Sequence, residues 1–145
     1  MQAGKGASVE TIHREMTAFA RRARTAVARM HPQLSLVAYT LLAHMSEHRD
    51  CRATDLAQAF LLDKSTVSRQ VATLERLGLV ERRPDPADHR VQALLPTAAG
   101  AAVLAEANRA ARRIVCGRLA DWDDTDLERF AAYLTRYNDA AGQQG

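Results

Sequence analysis

Between Lys64 and Leu77 the chain sets two kinds of side chain at helical spacing. Val67, Val71, Leu74 and Leu77 fall on one side, while Ser65, Thr66, Ser68, Arg69 and Thr73 fall mostly on the other, with Lys64 at the start. Short hydroxyls let a helix approach a surface closely and donate to phosphate oxygens. An arginine has the length and fork to meet the O6 and N7 edge of guanine. Any amphipathic helix has a polar outer face, so this pattern alone leaves an ordinary solvated helix equally open. The scarcity of carboxylates after Asp63 favours contact with a polyanion, and Glu75 comes late, where such a helix would be leaving the groove. A second group follows at Asp88-His89-Arg90. An arginine on a thin hairpin can enter a narrow minor groove, where the negative potential is deepest. Asp88 is too acidic to face phosphates freely and suits an anchoring role, holding the tip turn or a neighbouring arginine. His89 could touch the backbone.

Bond-breaking chemistry has no comparable constellation. The chain has no Gly-rich phosphate loop, no Gly-x-Ser-x-Gly and no Cys-x-x-Cys pair. The acidic run Asp121–Asp126 lacks the glycine and terminal glutamate of a calcium loop, and helix capping explains it better. No cofactor is implied, and an enzyme is not the reading.

The elements that would position these residues can be placed by periodicity and capping. Residues 1–8 are small and Gly-containing and read as a flexible N-terminal arm. Ser8 then suits an N-cap, and Ile12, Met16, Phe19, Ala23, Val27 and Met30 make one apolar stripe ending at His31-Pro32. Ser35 caps a second helix and Thr54 a short third one over Asp55–Phe60. Asp63 caps a fourth over Lys64–Leu77, with Gly78 suited to the left-handed position beyond it. Two short helices around a tight break at Leu61–Asp63 make a helix-turn-helix. Leu79–Arg83 and Val91–Leu95 read as strands around the turn-rich Pro84–Asp88, a β-hairpin wing. Thr97 caps a long Ala-rich helix to Leu119, and a last helix runs from Thr125 to Ala140. The fold class is therefore mainly α with a small β-hairpin wing. Its expected organisation is an arm over 1–8, an N-terminal helix over 9–34, a winged helix-turn-helix over 35–96 and C-terminal helices over 97–145.

Composition fits this scheme. The 145 residues are 47% hydrophobic, enough for a core, and the net charge of +3 permits nucleic-acid binding without demanding it. From Arg49 to Arg90 there are eight basic and seven acidic side chains, so any footprint on DNA must be local, with Lys64, Arg69 and Arg90 facing it. Lysine supplies only Lys5 and Lys64 of the 20 basic residues, and a GC-rich genome explains that bias best. Two distant cysteines, no signal-like N-terminus and no membrane-length apolar run make the cytoplasm the expected compartment.

The segment from Leu62 to Gly100, LDKSTVSRQVATLERLGLVERRPDPADHRVQALLPTAAG, resembles the MarR family of bacterial regulators (multiple antibiotic resistance regulators). It carries that family's recognition helix, glycine break, first wing strand, Asp-x-Arg tip, leucine-rich second strand and Thr-x-x-Gly lead into the next helix. Pro96-Thr97 replaces the usual Leu-Thr; it should shorten the strand and leave the cap intact. The order of flanking helices extends the resemblance to nearly the whole chain. The resemblance implies a homodimer in which the first and last two helices of each subunit interlock. It also implies a pseudo-palindromic double-stranded DNA operator, commonly repression, and often release by a small, frequently phenolic, effector. DNA contacts would come from Thr54, Lys64, Ser65, Thr66, Ser68, Arg69, Thr73, His89 and Arg90. By analogy with the family's ligand cleft, Phe19, Val37, Tyr39 and Leu41 are candidates for an effector lining, with ordinary core packing the plainer role for each.

The residues also bear on two sensing alternatives. Some relatives sense peroxides through a first-helix cysteine, which this chain lacks; Cys51, flanked by Arg49 and Arg52, is the nearest candidate, and Cys116 suits core or interface better. His44, His48 and Cys51 could ligate zinc, but zinc-sensing relatives add histidines from the long helix, and none is present there. A further alternative, a winged-helix protein acting only through protein contacts, predicts loss of the polar helix face or of the tip arginine. Both are present.

Overall fold

The computed structural model describes residues 2–142. In chain order the elements are α1 (Gln2–Met30), α2 (Leu36–Glu47), α3 (Ala53–Phe60), α4 (Lys64–Arg76), β1 (Val80–Pro84), β2 (Gln92–Pro96), α5 (Ala98–Arg118) and α6 (Asp124–Gly142). The chain divides into two compact units, Met1–Ala107 and Asn108–Gly145.

The first unit is built on one apolar core. The Ser35 side chain accepts from the Ala38 N–H at 3.1 Å and starts α2, whose Ala38, Leu41, Leu42 and Met45 are buried. Leu56 of α3 and Val67, Val71 and Leu74 of α4 meet them, joined by Leu79, Val80, Leu94 and Leu104. Each such Leu or Val contributes roughly 1.5–3 kcal/mol by leaving water. The core therefore fixes α4 by its apolar side and leaves the opposite side outward.

The breaks are chemically specified. Leu61 ends α3 in the left-handed region (φ 51°) and the Leu62 N–H returns to the Ala57 carbonyl at 3.0 Å. Asp63 then caps α4, accepting from the Thr66 N–H at 2.7 Å. Gly78 beyond α4 has φ 73°, the conformation expected of it, and lets the chain turn directly into β1. β1 and β2 pair antiparallel from Val80↔Pro96 to Pro84↔Gln92. Thr97 donates its hydroxyl to the Gly78 carbonyl at 2.6 Å and accepts from the Gly100 N–H at 3.1 Å, so it caps α5 and closes the base of the wing at once.

Three expectations change. Residues 2–8 are the first turns of α1 rather than an arm, and Ser8 is no cap: its hydroxyl donates to the Gly4 carbonyl one turn back at 3.1 Å. The helix runs through Gly4 and Gly6 although each glycine costs about 1 kcal/mol relative to alanine in a helix. Thr54 lies inside the first turn of α3; the N-cap is Arg52, whose backbone N–H donates to Asp55 Oδ2 at 2.8 Å. Pro96 does not shorten β2 but pairs with Val80 as its last residue, an end position where a missing N–H is tolerated. Gly100, Leu104 and Ala107 at the start of α5 are buried within the first unit.

The second unit contains the end of α5 and α6. Asp123 accepts from the Asp126 N–H at 2.8 Å and starts α6, and the Trp122 and Phe130 rings pack at 5.3 Å between centroids. None of the described residues of α6 is buried, and Phe130, Tyr133, Leu134 and Tyr137 are exposed.

Candidate nucleic-acid interface

The outer side of α4 carries the expected residues. Lys64, Ser65, Ser68 and Arg69 are exposed, while Thr66 and Thr73 are half-buried at its margin. Thr54 is exposed on the first turn of α3. Asp63 organises the start of the helix: its Oδ1 accepts from the Ser65 hydroxyl at 2.9 Å as well as from Thr66. Bonds from the Thr66 side chain, the Thr66 backbone and the Ser65 hydroxyl pull its carboxyl down to about 2, so it is ionised and occupied. Thr73 donates back to the Arg69 carbonyl at 3.1 Å, which leaves its hydroxyl an acceptor outward.

The acids of this region are largely engaged by neighbours. Arg82 forks onto Glu75 at 2.8 Å and Arg83 reaches Glu81 at 2.7 Å. Among the described residues Lys64 and Arg69 make no ion pair. Although the segment is nearly neutral, its charge is partly sorted: most carboxylates are taken up by wing and cap partners, and the α4 cations Lys64, Arg69 and Arg76 make no ion pair among the described residues. Such sorting suits a polyanion whose contacts are local.

At the wing tip His89 and Arg90 are exposed, and Asp88 Oδ1 accepts from the Arg90 N–H at 3.1 Å and from its Nε at 3.2 Å. Asp88 thus faces its neighbour rather than outward, as its acidity requires. The heavier anchor is one the sequence did not single out. Asp85 is 3% exposed, receives Arg52 Nε on Oδ2 at 3.0 Å, and receives the Ala87 N–H on Oδ1 at 2.8 Å and the Asp88 N–H at 3.3 Å. Arg52 and these N–H groups hold its carboxyl below the usual range. The pair spans α3 and the wing, and no local spacing rule connects residues so far apart.

The sensing candidates are not brought together. Leu41 is wholly buried in the core, Tyr39 packs partly against that core, and Phe19 and Val37 are exposed. A cavity of about 310 Å³ lies instead among His31, Pro32, Gln33, Leu34, Leu77, Leu79 and Val103, and the buried His31 Nε2 has no hydrogen-bond partner among the described residues. Cys51 is buried, and burial pushes its thiol up to about 11, the opposite of what a peroxide-reactive thiolate needs. Cys116 is exposed on α5. His44 and His48 stack at 3.9 Å between centroids, and among the described residues no three His, Cys, Asp or Glu side chains gather as a metal site. No described helix is long and apolar enough to cross a membrane.

Comparison with known proteins gives a consistent picture. Residues 33–91 match the model of the MarR family. The chain is 34% identical over 134 residues to the uncharacterized HTH-type transcriptional regulator YxaD of Bacillus subtilis, covering 91% of this chain and 94% of that protein. Among solved structures it resembles a MarR family protein from Bacillus stearothermophilus (TM-score 0.80, 23% identity, 98% of this chain and 99% of that one). It also resembles the transcriptional regulator BldR from Sulfolobus solfataricus (TM-score 0.67, 27% identity, 91% of this chain and 95% of that one).

Proposed function

Because the chain belongs to the MarR family of transcriptional regulators, we infer that it is a homodimeric repressor that reads a pseudo-palindromic operator. In this reading α4 enters the major groove, with Lys64, Ser65, Thr66, Ser68, Arg69 and Thr73 toward bases and phosphates. Thr54 contacts the backbone, and Arg90, flanked by His89, enters the adjacent minor groove. The observation that carries it is the partly sorted charge: the cations on α4 make no ion pair among the described residues, while most of the surrounding carboxylates are bonded elsewhere. A two-fold dimer places the two reading heads on half-sites about one helical turn apart.

An organic effector of small size would release DNA by preferring the non-binding spacing of the two heads. A cavity beside His31 in the first unit has room for a molecule of that size.

The test is fluorescence-anisotropy binding to the duplex immediately upstream of the protein's own gene, over a salt series, for wild type and Arg90→Ala. Competitor-resistant binding that weakens with salt, and a loss of about 1–3 kcal/mol in the variant, are expected. A folded dimer that binds no duplex at low salt would overturn the DNA reading.

A further inference from the structure

We propose that Arg52 and Asp85 form a clamp that positions the wing-tip Arg90 for DNA, an inference that rests on the reading of Arg90 as a minor-groove residue. The wing is a two-stranded hairpin of β1 and β2. Such a hairpin is at best marginally ordered, and this one exposes most of β1. A side chain on its tip would sample many positions, and binding would have to freeze them.

Asp85 removes that freedom. It is the one charged residue buried among the described residues, and a buried carboxylate persists only when its oxygens are occupied. Here Oδ2 takes Arg52 Nε and Oδ1 takes the Ala87 and Asp88 N–H groups. The Asp85 N–H donates to the Val91 carbonyl at 2.8 Å, and the Val91 N–H to the Asp88 carbonyl at 3.0 Å, so the tip loop closes around this residue. Asp88, held by its backbone, then bonds Arg90 through Oδ1.

The other end of the clamp is equally fixed. The Arg52 carbonyl accepts from the Asp55 N–H at 3.0 Å and the Leu56 N–H at 3.2 Å, and its own N–H is held by Asp55. Next to it, the carbonyl of buried Cys51 accepts from the Leu94 N–H of β2 at 2.7 Å. The start of α3 therefore grips the wing at its tip and at its second strand. α3 and α4 share the core, so the clamp relates Arg90 to the helix that reads the major groove. Arg52 and Asp85 are positioning residues in this scheme: they touch no base and act through Arg90.

The experiment is a double-mutant cycle on equilibrium binding to the operator duplex. Asp85→Asn and Arg52→Gln are each made in wild type and in Arg90→Ala, at a temperature where circular-dichroism melts show every variant folded. An asparagine in place of Asp85 retains an acceptor for the Ala87 and Asp88 N–H groups, so it removes the ion pair with least damage to the loop. Restored disorder at the tip should weaken wild-type binding roughly three- to tenfold for either substitution. In Arg90→Ala the same changes should alter binding less than about twofold, because the group they position is gone. Equal losses in both backgrounds would overturn the clamp, since they would mean that Arg52 contacts phosphate itself or that the frame has shifted. No loss in either background would overturn it as well. Amide exchange at Ala87, Asp88 and Val91 in the free protein provides an independent reading. Faster exchange in Asp85→Asn is expected, and unchanged exchange counts against the clamp. Should wild type bind no duplex, the DNA reading fails on that result while the exchange measurement still decides whether the tip is held.

Discussion

Two sets of helices in this chain carry the same apolar spacing and meet opposite fates. In the reading head Val67, Val71 and Leu74 of α4 are buried to 1% exposure or less. In α6 Phe130, Tyr133, Leu134 and Tyr137 recur at the same three- and four-residue steps and stay at least 40% exposed. Val9, Ile12, Met16 and Phe19 of α1 behave like α6. A chain rarely leaves large side chains in rows on its surface, and such rows mark interaction sites. The contrast teaches that the first unit finds its core within one chain, whereas the apolar rows of α1 and α6 stay uncovered in that chain, as half of a core would. The proposed homodimer supplies the other half.

The strongest way to break this comparison is to charge the α6 row. Phe130→Asp combined with Leu134→Asp should leave a folded reading head that sediments as a monomer. Its affinity for a palindromic duplex should fall by roughly 100-fold or more, because the second half-site would no longer be bound intramolecularly. Analytical ultracentrifugation and anisotropy on one preparation give both values. A variant that remains dimeric would show that the exposed row serves something else.

The same substitution at two glycines sharpens the contrast. A Cβ at Gly100 would collide with the backbone carbonyl of Leu79, which accepts from the Thr97 N–H at 3.0 Å and is held there at the base of the wing. Gly100→Ala should therefore destabilise the reading head by about 3 kcal/mol in urea unfolding. A Cβ at Gly117, later in the same helix α5, meets nothing within 4 Å. Gly117→Ala should stabilise by about 0.5–1 kcal/mol, the usual gain for an interior helix position. A loss at Gly117 instead would mean that another chain's backbone packs there, and would map the dimer seam directly.

This contrast also explains what can be read in the sequence. The helix-turn-helix, the Gly78 break, the wing strands and the outward residues of α4 are legible because each follows from a local rule of capping or periodicity. The start of α1 is not, because small residues and glycine suggest an arm, and nothing local records that the helix continues through them. Thr54 looks like a cap by residue type, yet Arg52 occupies that place through its backbone and Asp55. The Arg52–Asp85 pair is invisible for a different reason: it joins residues 33 apart, and only the fold brings them together. Apolar periodicity identifies the rows on α1 and α6 without telling whether the covering surface is in the same chain; here the family resemblance supplies what the residues cannot.

The smallest expected effect concerns Asp63, the carboxylate that caps the start of α4. A negative charge beside DNA is a liability in principle, but the Asp63 oxygen is occupied by the Ser65 hydroxyl and the Thr66 N–H and sits at the positive end of α4. Its carboxyl lies at about 2, below the ordinary value of 3.8, so the native state binds its proton less readily than the unfolded chain does. The stability it contributes is then complete above roughly pH 4 and lost as the pH falls through about 2. An asparagine at this position would keep the cap oxygen and remove the charge. Asp63→Asn should thus show a shallower fall in urea midpoint between about pH 5 and pH 2 than wild type, with the difference confined to that interval. If the two curves run parallel, the cap acts through hydrogen bonding alone, and the charge at the head of α4 has no part in holding the reading helix.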